Sequence, residues 1–427
     1  MENINHYTNA CPVCSTALKG YDKRGAQVFV CPQCQALLTK DEGGAFVRKD
    51  KLKKAQAEPI ISLGATGMLN DTLYRVICYA ERKDDHNSVW GEYILFDETA
   101  QRYAFLSEYN GHWNLMTPLD KHEVDAREVA SHPETTFRDQ TYKLYSKYTA
   151  SYIHARGEFF WPMHHKGMVP CREYIAPPHM VAMEGREPEA DYFFGTYVQP
   201  SAIKKAFGLA GVPYRIGKGV IQPFYGGIDV GYFAIGALAF IILIIILNAF
   251  ISMQAKEKQV FSHSFTVSDS TAGKPIVSPS FTLEGRQSNL QIDAFAQVTN
   301  SWVEAEISLV NERTLEETGF VTGVEYYSGT DDGESWSEGS WGKEEILCAV
   351  APGTYHFVIT PSKDTGFTST TMTLQATWDI PVWWNAILVV IVMGVITATL
   401  YFLELNFERS RWYDSDYSPY TYSDDNE

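Results

Sequence analysis

The sequence predicts a mainly β, multidomain membrane protein. Three features predict it: two uncharged apolar runs, a doubled Cys-x-x-Cys near the N-terminus, and long aromatic-rich stretches punctuated by turn residues. The apolar runs are Tyr232–Ile251 and Val382–Phe402. Each matches the roughly 20 residues that a helix needs to cross a bilayer's hydrocarbon core. The expected order is a zinc ribbon over 1–45, a basic linker over 46–59, and a β-rich domain over 60–200. A juxtamembrane helix and Gly/Pro linker follow at 201–231. Then come a span at 232–251, a β-sandwich at 252–381, a second span at 382–402 and a disordered acidic tail at 403–427.

The ribbon rests on Cys11-Pro-Val-Cys14 and Cys31-Pro-Gln-Cys34. Two C-x2-C pairs across a short spacer suit a tetrahedral site of four thiolates, and the expected ion is one structural zinc. Four thiolates leave no open coordination position, so the site is structural and not catalytic. The run Arg48-Lys49-Asp50-Lys51-Leu52-Lys53-Lys54 reads as a solvated linker, with anionic lipid headgroups as the alternative partner.

Between residues 60 and 200, TLYRVICYAER, VWGEYILFDE, RYAFLSEYN and GHWNLMTPL read as successive strands. Asn110-Gly111 is a hairpin turn signal. TYKLYSKYTASYIHARGEFFWPM, MVPCREYIAP and HMVAMEGR have the same texture. The expectation is an antiparallel sheet or barrel of two related halves, with WGEYILF matched to RGEFFWPM through a shared Gly-Glu-aromatic core. On that match Glu92 and Glu158 hold equivalent places. Glu158 with His164 and His165 then forms a possible functional pocket, with Cys171 near by. The plainer alternatives are a polar turn and two structural glutamates. No phosphate-loop, nucleophile-elbow or zincin motif occurs.

Gly64-Ala65, Trp90–Phe96, Gly111-His112-Trp113, Gly157–Trp161 and Glu173–Pro178 together resemble the bacterial family catalogued as domain of unknown function 4178. The layout of ribbon, β domain and two spans is similar to that of its membrane members. The resemblance implies a setting in membrane-associated systems near phage-shock-type remodelling proteins and polyamine aminopropyltransferase-like enzymes. It implies no catalytic residue.

Neither apolar run contains a charge, which argues against a conduction path through this chain alone. Basic residues near the span ends are almost balanced: Arg215, Lys218, Arg409 and Arg411 against Lys256, Lys258 and Lys363. Cysteine decides the orientation. Six of seven precede the first span, and four of those need a reducing compartment to bind metal. Both termini are therefore placed in the cytoplasm of a bacterium, with residues 252–381 across the inner membrane.

Residues 231–381 carry 7 Lys and Arg against 18 Asp and Glu, a net charge of −11. That balance opposes nucleic-acid binding, which needs a basic surface. Regularly spaced strand segments here predict a jelly-roll or immunoglobulin-like sandwich. In SGTDDGESWSEGSW, Asp331, Asp332, Glu334 and Glu338 flank a Gly turn beside two tryptophans. A solvated hairpin tip is the plain reading; calcium or an organic cation such as a polyamine is the alternative. The functional expectation is a membrane scaffold or sensor that recruits cytoplasmic proteins and self-associates. The alternatives are an enzyme or enzyme subunit with its site in 60–200, and an accessory subunit of a transporter.

Overall fold

The structure, a computed structural model, describes residues 6–54, 58–163 and 167–420. It forms two compact units, residues 1–231 with 399–427, and residues 232–398.

The first unit is built around eight antiparallel strands: β1 (Thr72–Asp84), β2 (Val89–Asp97), β3 (Arg102–Tyr109), β4 (His112–Leu119), β5 (Gln140–Phe159), β6 (Val169–Ala176), β7 (His179–Glu184) and β8 (Asp191–Val198). Strands β1 to β4 form one meander and β5 to β8 another. Strand β4 pairs with β8, and β5 pairs with β1, so the sheet closes into a barrel with no free edge in the ring. Asn110 and Gly111, at φ 53° and 78°, make the β3–β4 turn with two left-handed residues.

Period-2 alternation sends one set of side chains inward. Cys78, Ala80, Ile94, Phe96, Phe105 and Ala155 form an apolar interior cluster. Tyr74, Val76, Tyr93, Leu95 and Leu106 face outward and are covered by Ile203 of the short helix Pro200–Ala206. The expected juxtamembrane helix is thus a cover on the barrel wall.

The cysteine-bearing segment is continuous with the barrel. Strand β5 runs past the ring, and its Gly157–Phe159 end pairs with Val28–Val30. Gly157, at φ 101°, lies where β5 pairs with both that strand and β1, and a Cβ there would meet the Ile77 carbonyl at 2.3 Å. The expected linker at 46–59 is corrected. Phe46–Lys51 is a strand on the edge of Ala36–Lys40, Leu52 is buried in the interior cluster, and the Lys53 carbonyl lies 2.8 Å from His154 Nδ1. The Ala36–Lys40 edge needs a partner for its backbone groups, and that need outweighs the charge of the run.

Two helices, Val230–Met253 and Trp384–Arg411, are long and apolar enough to cross a membrane. The second continues beyond Phe402 to Arg411, and the chain after it packs on the barrel. The expected disordered tail from 403 is therefore corrected for 403–420. Trp412 is buried against Ile221, Ile175 and Met180. The reason is an aromatic side chain, placed by the helix, that finds an apolar seat.

In the second unit a four-stranded sheet has the order Lys258–Ser268, Ser369–Trp378, Ser288–Ala296, Gly342–Val350. A six-stranded sheet centres on Gly353–Lys363, Ser301–Asn311 and Glu317–Asp331. Leu290, Ile292 and Leu374 of the first sheet and Ile307, Leu309, Phe357 and Ile359 of the second share one buried cluster. Glu334–Ser340 is a further strand, paired with Glu317–Asp331.

Candidate metal centre and barrel cavity

Two matching knuckles carry the cysteines. In each, the amide of the residue after the second cysteine donates to the carbonyl of the first: Ser15 to Cys11 at 2.9 Å and Gln35 to Cys31 at 3.0 Å. Ser15 and Gln35 both sit in the left-handed region, at φ 60° and 62°. The knuckles bring Cys11, Cys14, Cys31 and Cys34 together with all Sγ atoms within 4.8 Å. Cys11 and Cys34 are 3.8 Å apart, and Cys14 and Cys31 are 3.7 Å apart. A tetrahedron of thiolates around an ion at about 2.3 Å has edges of about 3.8 Å. The four residues can hold one metal ion.

The acidic hairpin does not gather its carboxylates. Asp331 pairs with Glu334 across the turn, but Glu338 pairs with Tyr327, four residues further along the strand. At about 3.4 Å per residue that is roughly 13 Å away, beyond any shared ion. Asp331, Asp332, Glu334 and Glu338 are all exposed. Among the described residues only the four cysteines gather at metal-binding distance.

Glu158 serves the metal segment. Its carboxylate accepts from the Tyr7 hydroxyl at 2.8 Å and from the backbone amides of Tyr21 and Asp22. It is fully buried, and burial raises its carboxyl above the usual carboxylate range against those donors. Its carboxylate is engaged in this joint between β5 and the cysteine-bearing segment. His164 and His165 lie outside the described residues. The pairing of WGEYILF with RGEFFWPM is also corrected, because the first is β2 and the second closes β5. The strand equivalent to β2 in the second meander is β6. There Glu173-Tyr174-Ile175 repeats Glu92-Tyr93-Ile94. The two tyrosines are buried on the outer face: the Tyr93 hydroxyl accepts from the Ile60 amide at 3.0 Å, and the Tyr174 hydroxyl donates to the Val129 carbonyl at 2.8 Å.

Both glutamates of that repeat line a cavity of about 610 Å³ inside the barrel. Arg82, only 3 % exposed, also lines it. Its Nη1 lies 3.2 Å from Glu92 and 2.5 Å from Glu184. Its guanidinium sits 5.5 Å from the Trp90 ring centre and 5.2 Å from that of Tyr152. Burial opposes the charge on Arg82, but Glu184 and Glu92 more than offset it and hold the group protonated. Burial raises the carboxyl of Glu92, which Arg82 partly counters. Burial likewise raises Glu173, which accepts a 2.8 Å hydrogen bond from the Tyr148 hydroxyl. Three buried polar atoms on the wall have no partner, Arg82 Nε, Arg172 Nη1 and Asn114 Oδ1.

The end of the second long helix is joined to this wall. Arg411 donates to the carbonyls of Gly219 and Val220, each at 2.8 Å, and to that of Gln222, and it pairs with Glu408. The hydroxyl of Tyr145 donates to the Arg411 carbonyl at 2.9 Å, and Ser415 Oγ donates to the Tyr145 carbonyl at 2.6 Å. Tyr145 and Val220 also line the cavity.

The class is thus a closed eight-stranded barrel with an internal cavity, fused to a four-cysteine segment. Residues 62–200 match the model described as Domain of unknown function (DUF4178), and over those residues the chain is a member of that family. No curated protein matches the chain. Solved structures similar to parts of it include the infectious bursal disease virus Gt strain, at 11% identity and TM-score 0.18, covering 88% of this chain and 70% of that one. The VP2 subviral particle of infectious bursal disease virus has 10% identity and TM-score 0.20, covering 89% and 72%. The CBM22 tandem domain of Xyn10C from Paenibacillus barcinonensis has 10% identity and TM-score 0.17, covering 76% and 100%. Scores this low carry no argument about the present fold.

Proposed function

We propose that this chain is a two-pass membrane sensor whose barrel binds a small ligand on the cytoplasmic side. The observation that carries the reading is the cavity itself. A closed barrel of eight strands is wide enough to hold one small molecule, and about 610 Å³ lies within the usual range of ligand pockets. An ordinary structural barrel would fill that space with side chains.

The helices Val230–Met253 and Trp384–Arg411 supply the membrane spans of this reading. In this reading both termini lie in the reducing cytoplasm of a bacterium, which the metal-competent cysteines support, with zinc as the ion their chemistry favours. The second unit is then an outer β-sandwich. Tyr145 supplies the route for a signal, because it touches both the cavity and the end of the second helix. Ligand that shifts Tyr145 biases that helix. Cytoplasmic partners from a membrane-stress or remodelling assembly would read the outcome.

Native mass spectrometry of the full-length protein, gently extracted into detergent, tests the ligand reading. A bound small molecule is expected in the wild type and is lost when Ala182→Trp fills the cavity. No adduct, together with no shift in Tm on adding a metabolite extract, overturns it.

A further inference from the structure

We infer that the barrel cavity takes a small organic cation bearing N–H groups, a guanidinium or primary ammonium compound. The inference rests on the reading of the barrel as a ligand site and names the class of ligand.

Charge is the first argument. The residues lining the cavity hold three cations, Arg82, Lys121 and Arg172, against six carboxylates, Asp84, Glu92, Glu173, Glu184, Glu189 and Asp191. Arg82 is already shared between two of them. An entering anion would meet an excess of like charge, and the buried Arg82 is already paired. An entering cation meets the opposite.

Hydrogen-bonding capacity is the second argument, and it is independent of charge. Glu173 takes one hydrogen bond, from Tyr148, and Glu184 takes one ion pair, from Arg82. A carboxylate has about four lone-pair sites. Asn114 Oδ1 is buried without a donor. The wall therefore presents spare acceptor sites on Glu173, Glu184 and Asn114, against two unmatched buried donors, Arg82 Nε and Arg172 Nη1. A ligand rich in N–H groups satisfies those acceptors; an apolar ligand would leave them desolvated and unpaired.

The third argument is the protein's own guanidinium. Arg82 lies over the rings of Trp90 and Tyr152 while pairing with carboxylates. It demonstrates the mode of binding that the rest of the cavity repeats, with Trp161 and Tyr148 as further rings on the wall.

The test is calorimetric titration of the full-length protein in detergent with three probes: agmatine, tetramethylammonium and succinate. Agmatine is expected to bind at one per chain, and Ala182→Trp to abolish it. Glu173→Gln is expected to weaken it about tenfold, the loss of one charge-assisted hydrogen bond. Succinate is expected to give no heat. Tetramethylammonium, a cation without N–H groups, is expected to bind at least about tenfold more weakly than agmatine. Succinate binding with agmatine silent overturns the cation class and leaves the ligand-site reading standing. Equal binding of the two cations overturns the requirement for N–H groups. Silence of all three probes overturns the class, while an adduct lost in Ala182→Trp still upholds the cavity as a ligand site.

Discussion

Glu158 and Glu173 look alike in sequence, each a glutamate in an aromatic strand, but they do different work. Glu158 is held by two amides and a hydroxyl. Glu158→Gln turns one acceptor into an N–H donor against those donors. We expect a loss of about 1–3 kcal/mol in unfolding free energy with ligand binding unchanged, and an unchanged Tm would remove the joint from the account. Glu173 faces the cavity, and burial raises its carboxyl. A carboxyl raised on folding contributes stability below its unfolded value, near 4.3, and loses it as pH rises through the folded one. Glu173→Gln should therefore match the wild type near pH 4 and gain Tm over it toward pH 8. A Tm difference that stays flat with pH would count against a buried, raised Glu173.

At the scale of elements, the joint between the second helix and the barrel is the informative one. Trp412 is 5 % exposed, and Arg411 donates to three carbonyls of the 219–222 segment. Trp412→Ala should cost about 3–5 kcal/mol in stability of the first unit. It should also open residues 412–420 to protease, and a digestion pattern identical to the wild type would contradict the seat. The ribbon is the second such joint. Cys31→Ser should lower bound metal and, because Val28–Val30 extends the sheet from β5, also lower the Tm of the barrel. Metal loss without any Tm change would show that the two elements fold independently.

For the whole molecule the decisive matter is topology. With both termini in the cytoplasm, protease added outside spheroplasts should cut within 252–381 and spare the cysteine ribbon. Cleavage between residues 60 and 200 would invert the arrangement. A reversed arrangement would expose the four-thiolate site, and Cys78 and Cys171 with it, to an oxidising compartment.

Period-2 alternation and Asn110-Gly111 made the first barrel meander legible from sequence, nearly strand by strand. The Cys-x-x-Cys spacing similarly determined the metal centre, because both signals are local. Strand β8, DYFFGTYV, is not among the expected strands, although its alternating aromatics and flanking prolines would have marked it. The repeated Glu-Tyr-Ile marks the cavity glutamates, whereas the Gly-Glu-aromatic core of WGEYILF and RGEFFWPM joins strands that are not equivalent. Closure of β5 onto β1, the burial of Arg82 between Glu92 and Glu184, and the seating of Trp412 belong to tertiary structure alone. Each joins residues far apart in sequence: Arg82 and Glu184 are 102 positions apart, and Tyr145 and Arg411 are 266 apart. Local propensity cannot encode which distant edge or side chain will meet; only the packed chain decides it, by burying both partners together.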